Sequence, residues 1–274
     1  MTFVTGTHLS GCPRIRGDSR PAVVVTDLDG TLLLSDGSVS ERAVAALRAV
    51  AAQGTRVVFA TARPAWSARR LLSAASGLGA FLVSSNGAVV SDLDGGGVRR
   101  IRAMTPATVR AEIATLGQRP WAVDREHDRL IGPGWPDILA SGAGTALRVA
   151  DVPDGSPVLC LMVHIDSAAP PAALGVRGPV RWTSSGPGLL EVSAPEADKV
   201  SAVASVLAGL GIGWDRVVAF GDAPNDTGLL AAAGLGVAVA NASADVREAA
   251  DALTACNDDD GVAAWLEGMC LCHV

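Results

Sequence analysis

The chain has 274 residues, 49% hydrophobic and 18% charged, enough apolar material for one large globular unit or two smaller ones. Lys and Arg total 22 against 28 Asp and Glu, a net charge of −6, so the basic footprint that phosphate-backbone binding needs is missing and nucleic acid is not an expected partner. No apolar run approaches a membrane span, and five cysteines without paired spacing argue against a disulfide framework, which fits a cytoplasmic protein.

Residues 1–20, "MTFVTGTHLSGCPRIRGDSR", lack the basic start and continuous apolar stretch of a signal peptide and read as a flexible extension. Then short β-branched runs alternate with alanine-rich segments: "AVVV", "SERAVAALRAVAAQG", "TRVVFA", "PAWSARRLLSAASG" and "AFLVSS". This is the βαβ rhythm of a parallel sheet covered on both faces. Ser40 fits an N-cap, Gly54 and Gly77 helix stops, and Pro64 a first helical position.

After Asn86, "GAVVSDLDGGGVRRIRAM" reads as an antiparallel hairpin around an Asp-Gly turn, followed by a capped helix at "TPATVRAEIATLG". From about 120 to 190 the chain is rich in Gly, Pro and Trp, with one clear strand, "VLCLMVHI", and an edge pair in "PVRWTSSGPGLLEVS". The rhythm then returns: helix "KVSAVASVLAGLG", strand "RVVAF", helix near "NDTGLLAAAG", strand "GVAVA", and helices "ADVREAADA" and "DGVAAWLEG". The expected architecture is a doubly wound, Rossmann-like α/β core of residues 21–86 and 191–274, with an inserted smaller α+β cap at 87–190.

In open parallel sheets, ligands bind beyond the carboxyl ends of the strands. Four polar clusters fall at such ends: Asp27 and Asp29, Thr61, Ser84 to Asn86, and "GDAPND" at 221–226, with Lys199 opening a helix before the last. In this order and spacing, "DLDGTLL", "TARP", "SSNGA", Lys199 and "GDAPNDTGLL" resemble the four motifs of the haloacid dehalogenase superfamily. The position of the insertion is similar to that of Cof-type sugar-phosphate phosphatases.

The resemblance implies a Mg²⁺-dependent phosphatase acting on a small phosphorylated metabolite, a sugar or polyol phosphate, through an aspartyl-phosphate. Asp27 would be nucleophile and metal ligand. Asp29 would give its carbonyl to the metal and act as general acid and base, a role worth roughly 10²–10⁴-fold. Asp222 and Asp226 would complete the metal site. Thr61, Ala62, Lys199, Asn225 and the backbone at Leu28 and Gly30 would bind phosphate, while Thr31 reads as structural. A phosphomutase, or a low-turnover regulatory homologue, is the alternative on the same residues.

Two departures from the family pattern stand out: Ala62 replaces the usual Gly after Thr61, and acidic Glu196 and Asp198 precede Lys199, where they would weaken it as a phosphate ligand. In the cap, Arg125, His127, His164, Arg177 and Arg181, with Asn86 in the third loop, are the candidate substrate contacts, His127 first among them. Asp258 to Asp260 read as a helix-start cluster, and the tail "CLCHV" (Cys270, Cys272, His273) is too closely spaced for a metal site. No membrane partner is expected, and the chain is read as a monomer or homodimer.

Overall fold

A computed structural model describes residues 20–271 except 96, 118, 138–145, 166–178 and 187. The extension at 1–19, Arg177, Cys272 and His273 lie outside these residues. Two sheets organise the chain. The larger has eight strands in the order β14-β13-β12-β1-β2-β3-β4-β5: β1 Val23–Thr26, β2 Arg56–Ala60, β3 Phe81–Ser84, β4 Val89–Asp92, β5 Val98–Ile101, β12 Val217–Gly221, β13 Leu235–Val239 and β14 Ala252–Thr254. Strand β1 sits centrally, parallel to β2 and β12 with Val25 opposite Val58 and Ala219, and all four of its residues are buried. That is why it is apolar throughout rather than alternating.

The sheet grows outward from β1 in both directions, and the last helix, Gly261–Leu271, returns to pack against the first, Glu41–Ala52. The helices are α1 Glu41–Ala52, α2 Ala65–Leu71, α3 Pro106–Thr115, α4 Lys199–Leu210, α5 Thr227–Ala232, α6 Ala244–Ala249 and α7 Gly261–Leu271. Ser40 caps α1 by accepting from the Ala43 N–H, an interaction typically worth about 1 kcal/mol. Asp258 accepts from the backbone N–H and hydroxyl of Ser35, and Asp260 from the Ser40 hydroxyl. Asp258 and Asp260 therefore tie the start of α7 to the loop before α1.

Two expectations change. The 89–101 hairpin forms, but β4 pairs antiparallel with β3, so it extends the larger sheet instead of opening the inserted unit. The segment read as the end of one helix over 244–252 is split: α6 stops at Ala249 and Ala252–Thr254 adds an edge strand parallel to β13.

The smaller sheet has six strands in the order β10-β11-β9-β6-β7-β8: β6 Trp121–Asp124, β7 Arg129–Ile131, β8 Ala146–Arg148, β9 Cys160–His164, β10 Arg181–Gly186 and β11 Leu189–Ser193. Opposed residues share a face. Val123, Leu161, Val192 and Leu130 turn to one side and pack with Val109 of α3. Asp124 lies opposite Arg129 and Cys160, and Met162 opposite Ala122 and Glu191, so the other face mixes ionic and apolar groups. This second face meets the larger sheet's side of the molecule, Arg129 standing over the ring of Trp66 in α2 at 6.0 Å.

Candidate active site

The run "VVVTDLDGTLLL" is not one strand. Strand β1 ends at Thr26, the Asp27 N–H still bonds the Phe220 carbonyl, and residues 28–32 then form a wide turn closed by the Leu33 N–H on the Leu28 carbonyl at 2.8 Å. Gly30 makes the turn possible. Its φ is +74°, and a Cβ there would lie 2.5 Å from the Asp222 carboxylate. Buried Leu28, Leu32 and Leu33 anchor the turn from below, leaving Asp27 buried and Asp29 exposed at the carboxyl edge of the sheet.

Asp27, Asp222 and Asp226 bring carboxylate oxygens within 4.8 Å of one another. Each comes from a different position: the end of β1, the loop after β12, and the turn before α5. Lys199, the first residue of α4, is 3% exposed and its ammonium donates to Asp27 Oδ1 and Asp226 Oδ1, both at 2.7 Å. The Thr31 hydroxyl donates to Asp222 Oδ1 at 2.7 Å, and the N–H groups of Asp222 and Ala223 reach Asp226 Oδ2 at 3.3 Å. Thr31 thus orients one of the clustered carboxylates.

One ammonium against three carboxylates leaves negative charge in excess, and the protonation balance reflects it. Burial, chiefly, pushes the Asp27 carboxyl well above the usual range; Lys199 opposes this while Asp226 and Asp222 add to it. Asp222 is raised too, first by burial, against the Thr31 hydrogen bond. For Lys199 burial is the largest influence and acts downward, yet Asp226 and Asp27 together outweigh it and the net shift is upward. An all-oxygen set with surplus charge suits a hard divalent cation such as Mg²⁺, so the residues present fit that group.

A pH signature follows. Carboxyls raised in the folded state bind protons more tightly folded than unfolded, so their stabilisation is complete below the unfolded value of about 3.9 and is lost as pH rises through the raised values. In EDTA, Asp222→Asn is therefore expected to melt above the wild type, by a margin that widens as pH climbs from about 4 toward 7. Mg²⁺ should close the gap at neutral pH. Thermal melts of both proteins across that range, with and without Mg²⁺, check the sign.

The Asp29 carboxylate stands outside the cluster. Arg63 grips it with two hydrogen bonds, Nε to Oδ2 at 2.7 Å and Nη2 to Oδ1 at 2.6 Å. This raises the Arg63 pKa, the Asp29 bond being the largest influence. Arg63 lies in the same loop as Thr61, whose buried hydroxyl accepts from the Arg63 N–H at 3.1 Å; Ala62 between them is half-buried. Sequence reading passed over Arg63, although a cation two residues beyond Thr61 at a strand's carboxyl end was a usable signal.

The acids before Lys199 do not compete for it. Asp198 is the N-cap of α4, accepting from the Ser201 N–H at 2.8 Å and hydroxyl at 2.6 Å, and Glu196 is exposed. Asn225 donates from Nδ2 to Asn86 Oδ1 at 3.1 Å, and Asn86 is 4% exposed beneath the smaller sheet.

The cap candidates disperse. Arg125 is committed to Asp128 through a two-point ion pair, and the His127 side chain is 85% exposed beside Glu126. His164 ends β9, half-buried on the face that carries Glu191. Arg181 is exposed but lines a cavity of about 310 Å³ with Trp182, Thr183, Lys199 and Asn225. Two further charged groups come from the same face: Arg129, ion-paired with buried Asp124 and close enough to Arg63 for their charges to repel, and Glu191, which meets Asn86.

Comparison with known proteins agrees with this layout. Residues 24–126 and 167–266 match the family described as haloacid dehalogenase-like hydrolase. The chain is 29% identical over 254 residues to a 5-amino-6-(5-phospho-D-ribitylamino)uracil phosphatase of Bacillus subtilis, covering 90% of this chain and 95% of that one. It is 30% identical over 247 residues to a phosphoglycolate phosphatase of Methanopyrus kandleri, covering 89% and 95%. A haloacid dehalogenase-like hydrolase from Bacteroides thetaiotaomicron superposes with a TM-score of 0.80 at 24% identity, over 91% of this chain and all of that one.

Proposed function

The chain belongs to the haloacid dehalogenase-like hydrolases, and from that membership we propose that it is a Mg²⁺-dependent phosphatase of a small phosphorylated metabolite, a sugar or polyol phosphate. The observation that carries this reading is the buried cluster of Asp27, Asp222 and Asp226 around Lys199 at the carboxyl end of the central strand. Asp27 is the nucleophile. Its carboxylate attacks phosphorus, the ester bond to the leaving oxygen breaks, and an aspartyl-phosphate forms that water later hydrolyses. Asp29 gives a proton to the leaving oxygen and takes one from the attacking water.

Asp27, Asp222 and Asp226 would hold Mg²⁺, with the Asp29 carbonyl; when bound, the cation neutralises charge shared between carboxylate and phosphate oxygens. Lys199 offsets the same charge from the protein side, and Thr61, Asn225 and the backbone at Leu28, Gly30 and Ala62 hold the transferring group. Arg63 holds Asp29 by both oxygens outside the cluster, so Asp29 takes up its acid–base role only once Arg63 releases one of them. The smaller sheet, with α3, serves as the cap that excludes water and selects the leaving group. The names of the two relatives, a ribitylamino-uracil phosphatase and a phosphoglycolate phosphatase, support a small-metabolite substrate and span quite different leaving groups.

The test is phosphate release over a panel of sugar phosphates, polyol phosphates, nucleotides and p-nitrophenyl phosphate, with Mg²⁺ and with EDTA. Release is expected with Mg²⁺ and lost in EDTA, the preferred ester being a sugar or polyol phosphate. A panel on which nothing is hydrolysed, or turnover indifferent to EDTA, would sink the reading.

A further inference from the structure

The loop after β3 is held in a conformation that ordinary residues avoid. Ser85 and Asn86 both have left-handed φ, +49° and +51°, and neither is glycine. A residue of that kind costs on the order of 1 kcal/mol or more unless its surroundings over-determine it. Here they do. The Ser85 N–H bonds the Arg63 carbonyl at 2.8 Å and the Asn86 N–H bonds the Thr61 carbonyl at 3.0 Å. Gly87, at φ +96°, lies so close to α4 that a Cβ would overlap the Asp198 carbonyl oxygen.

What the strained loop delivers is the Asn86 amide, buried where the two sheets meet. Its Nδ2 donates to Glu191 Oε2 at 2.7 Å, and its Oδ1 accepts from Asn225 Nδ2 at 3.1 Å. An amide has a donor end and an acceptor end, and its partners decide which points where. Glu191 Oε2 accepts from the NH₂ of Asn86, which turns the Asn86 Oδ1 toward Asn225. That oxygen in turn calls for the NH₂ of Asn225, whose own Oδ1 is left buried with no hydrogen-bonding partner among the described residues. One carboxylate on the smaller sheet thus sets the orientation of two amides on the larger one.

We propose that Glu191 is a positioning residue that, through Asn86, turns the NH₂ of Asn225 toward the phosphoryl site. The inference rests on the reading of Asn225 as a phosphoryl ligand. Asn225 has two N–H bonds on Nδ2; Asn86 takes one and so aims the other. If the chain of amides reverses, Asn225 presents oxygen where a donor is needed. Because Glu191 belongs to β11 and the asparagines to loops of the other sheet, the chain is complete only while the sheets sit together as seen.

The experiment uses the full-length protein with Glu191→Gln, which keeps shape but no longer dictates amide polarity, and Asn86→Gly, which accepts the left-handed φ while deleting the relay. Each is expected to lower kcat about tenfold or more with KM changed far less, and the double variant to lose no more than the worse single one. In ¹⁵N spectra, Glu191→Gln is expected to move the side-chain NH₂ signals of both Asn86 and Asn225. Unchanged Asn225 NH₂ signals in Glu191→Gln, or losses that multiply in the double variant, would overturn the relay. If those signals move while Asn225→Ala keeps full turnover, the relay stands and the phosphoryl assignment of Asn225 falls. Should Glu191→Gln fail to fold by thermal melt, Asn86→Gly still tests the relay through kcat and the Asn225 NH₂ signals, and unchanged Asn225 signals there would overturn it.

Discussion

Asp27→Asn is expected to abolish phosphate release, by at least ~10³-fold in kcat, while raising the melting temperature of the metal-free protein. The two effects have one cause. Asp27 is buried, and its carboxyl is driven upward by burial first and by Asp226 and Asp222 next, with Lys199 compensating only in part. An ionised group held there is a cost to folding, tolerated because a nucleophile is required at that point. Asparagine keeps the shape and an acceptor for the Lys199 ammonium, removes one charge from an over-charged cluster, and cannot form the aspartyl-phosphate. Paired assays of phosphate release and thermal melting in EDTA read both effects. Turnover near the wild-type level would dismiss Asp27 as the nucleophile, and a large drop in melting temperature would show Asp27 to be a net stabiliser through Lys199.

What could be read from the sequence divides along a physical line. The apolar run before Asp27 announces a strand buried on both faces, and a parallel sheet offers its ligand at the strand ends, so Asp27, Asp222 and Asp226 stood out by position, while Lys199 and the roles of all four came from the resemblance to the haloacid dehalogenase superfamily. The assembly of the three aspartates within 4.8 Å is a tertiary fact, but one that the strand order implies. The smaller sheet resisted because β6, β7 and β8 are three or four residues long, too short for a period to declare itself. The 89–101 hairpin was legible as a hairpin, yet which sheet it joins depends on the free edge of β3, which no local pattern reports. Strand β14 was lost in an alanine-rich helical reading because three residues at an edge carry little signal. Within "DREHDR", the exposed His127 was put forward and Arg129 was not considered, although Arg129 has a buried partner, Asp124, across a tight turn. Glu191 had a visible clue: an acid within "LLEVS" interrupts an otherwise apolar strand.

Lys199→Met is expected to be the most damaging single change to the cluster, and its effect should depend on the metal. The side chain of Lys199 is 1% exposed, and its ammonium is shared between Asp27 and Asp226 at 2.7 Å each. Methionine fills much of the same volume, so little packing is lost. The charge balance is another matter: three carboxylates remain with no cation among them. Breaking a buried pair while leaving its partner costs about 3–5 kcal/mol, which in a protein of this size lowers the melting temperature on the order of 10 °C. In EDTA the deficit should deepen as pH rises, because the raised carboxyls of Asp27 and Asp222 lose their protons into a site with nothing to offset them. Mg²⁺ should recover a good part of that stability, since a divalent cation supplies what the ammonium did. It should not recover turnover, because the Lys199 ammonium would offset phosphoryl charge in addition to the cation, and loss of one such charge costs on the order of 10²–10³-fold. Thermal melts across pH with EDTA or Mg²⁺, run beside phosphate release, separate these outcomes. A variant as stable as the wild type in EDTA would mean that Lys199 does not balance the carboxylates, and restored turnover with Mg²⁺ would mean that the cation alone suffices for the charge of the phosphoryl group.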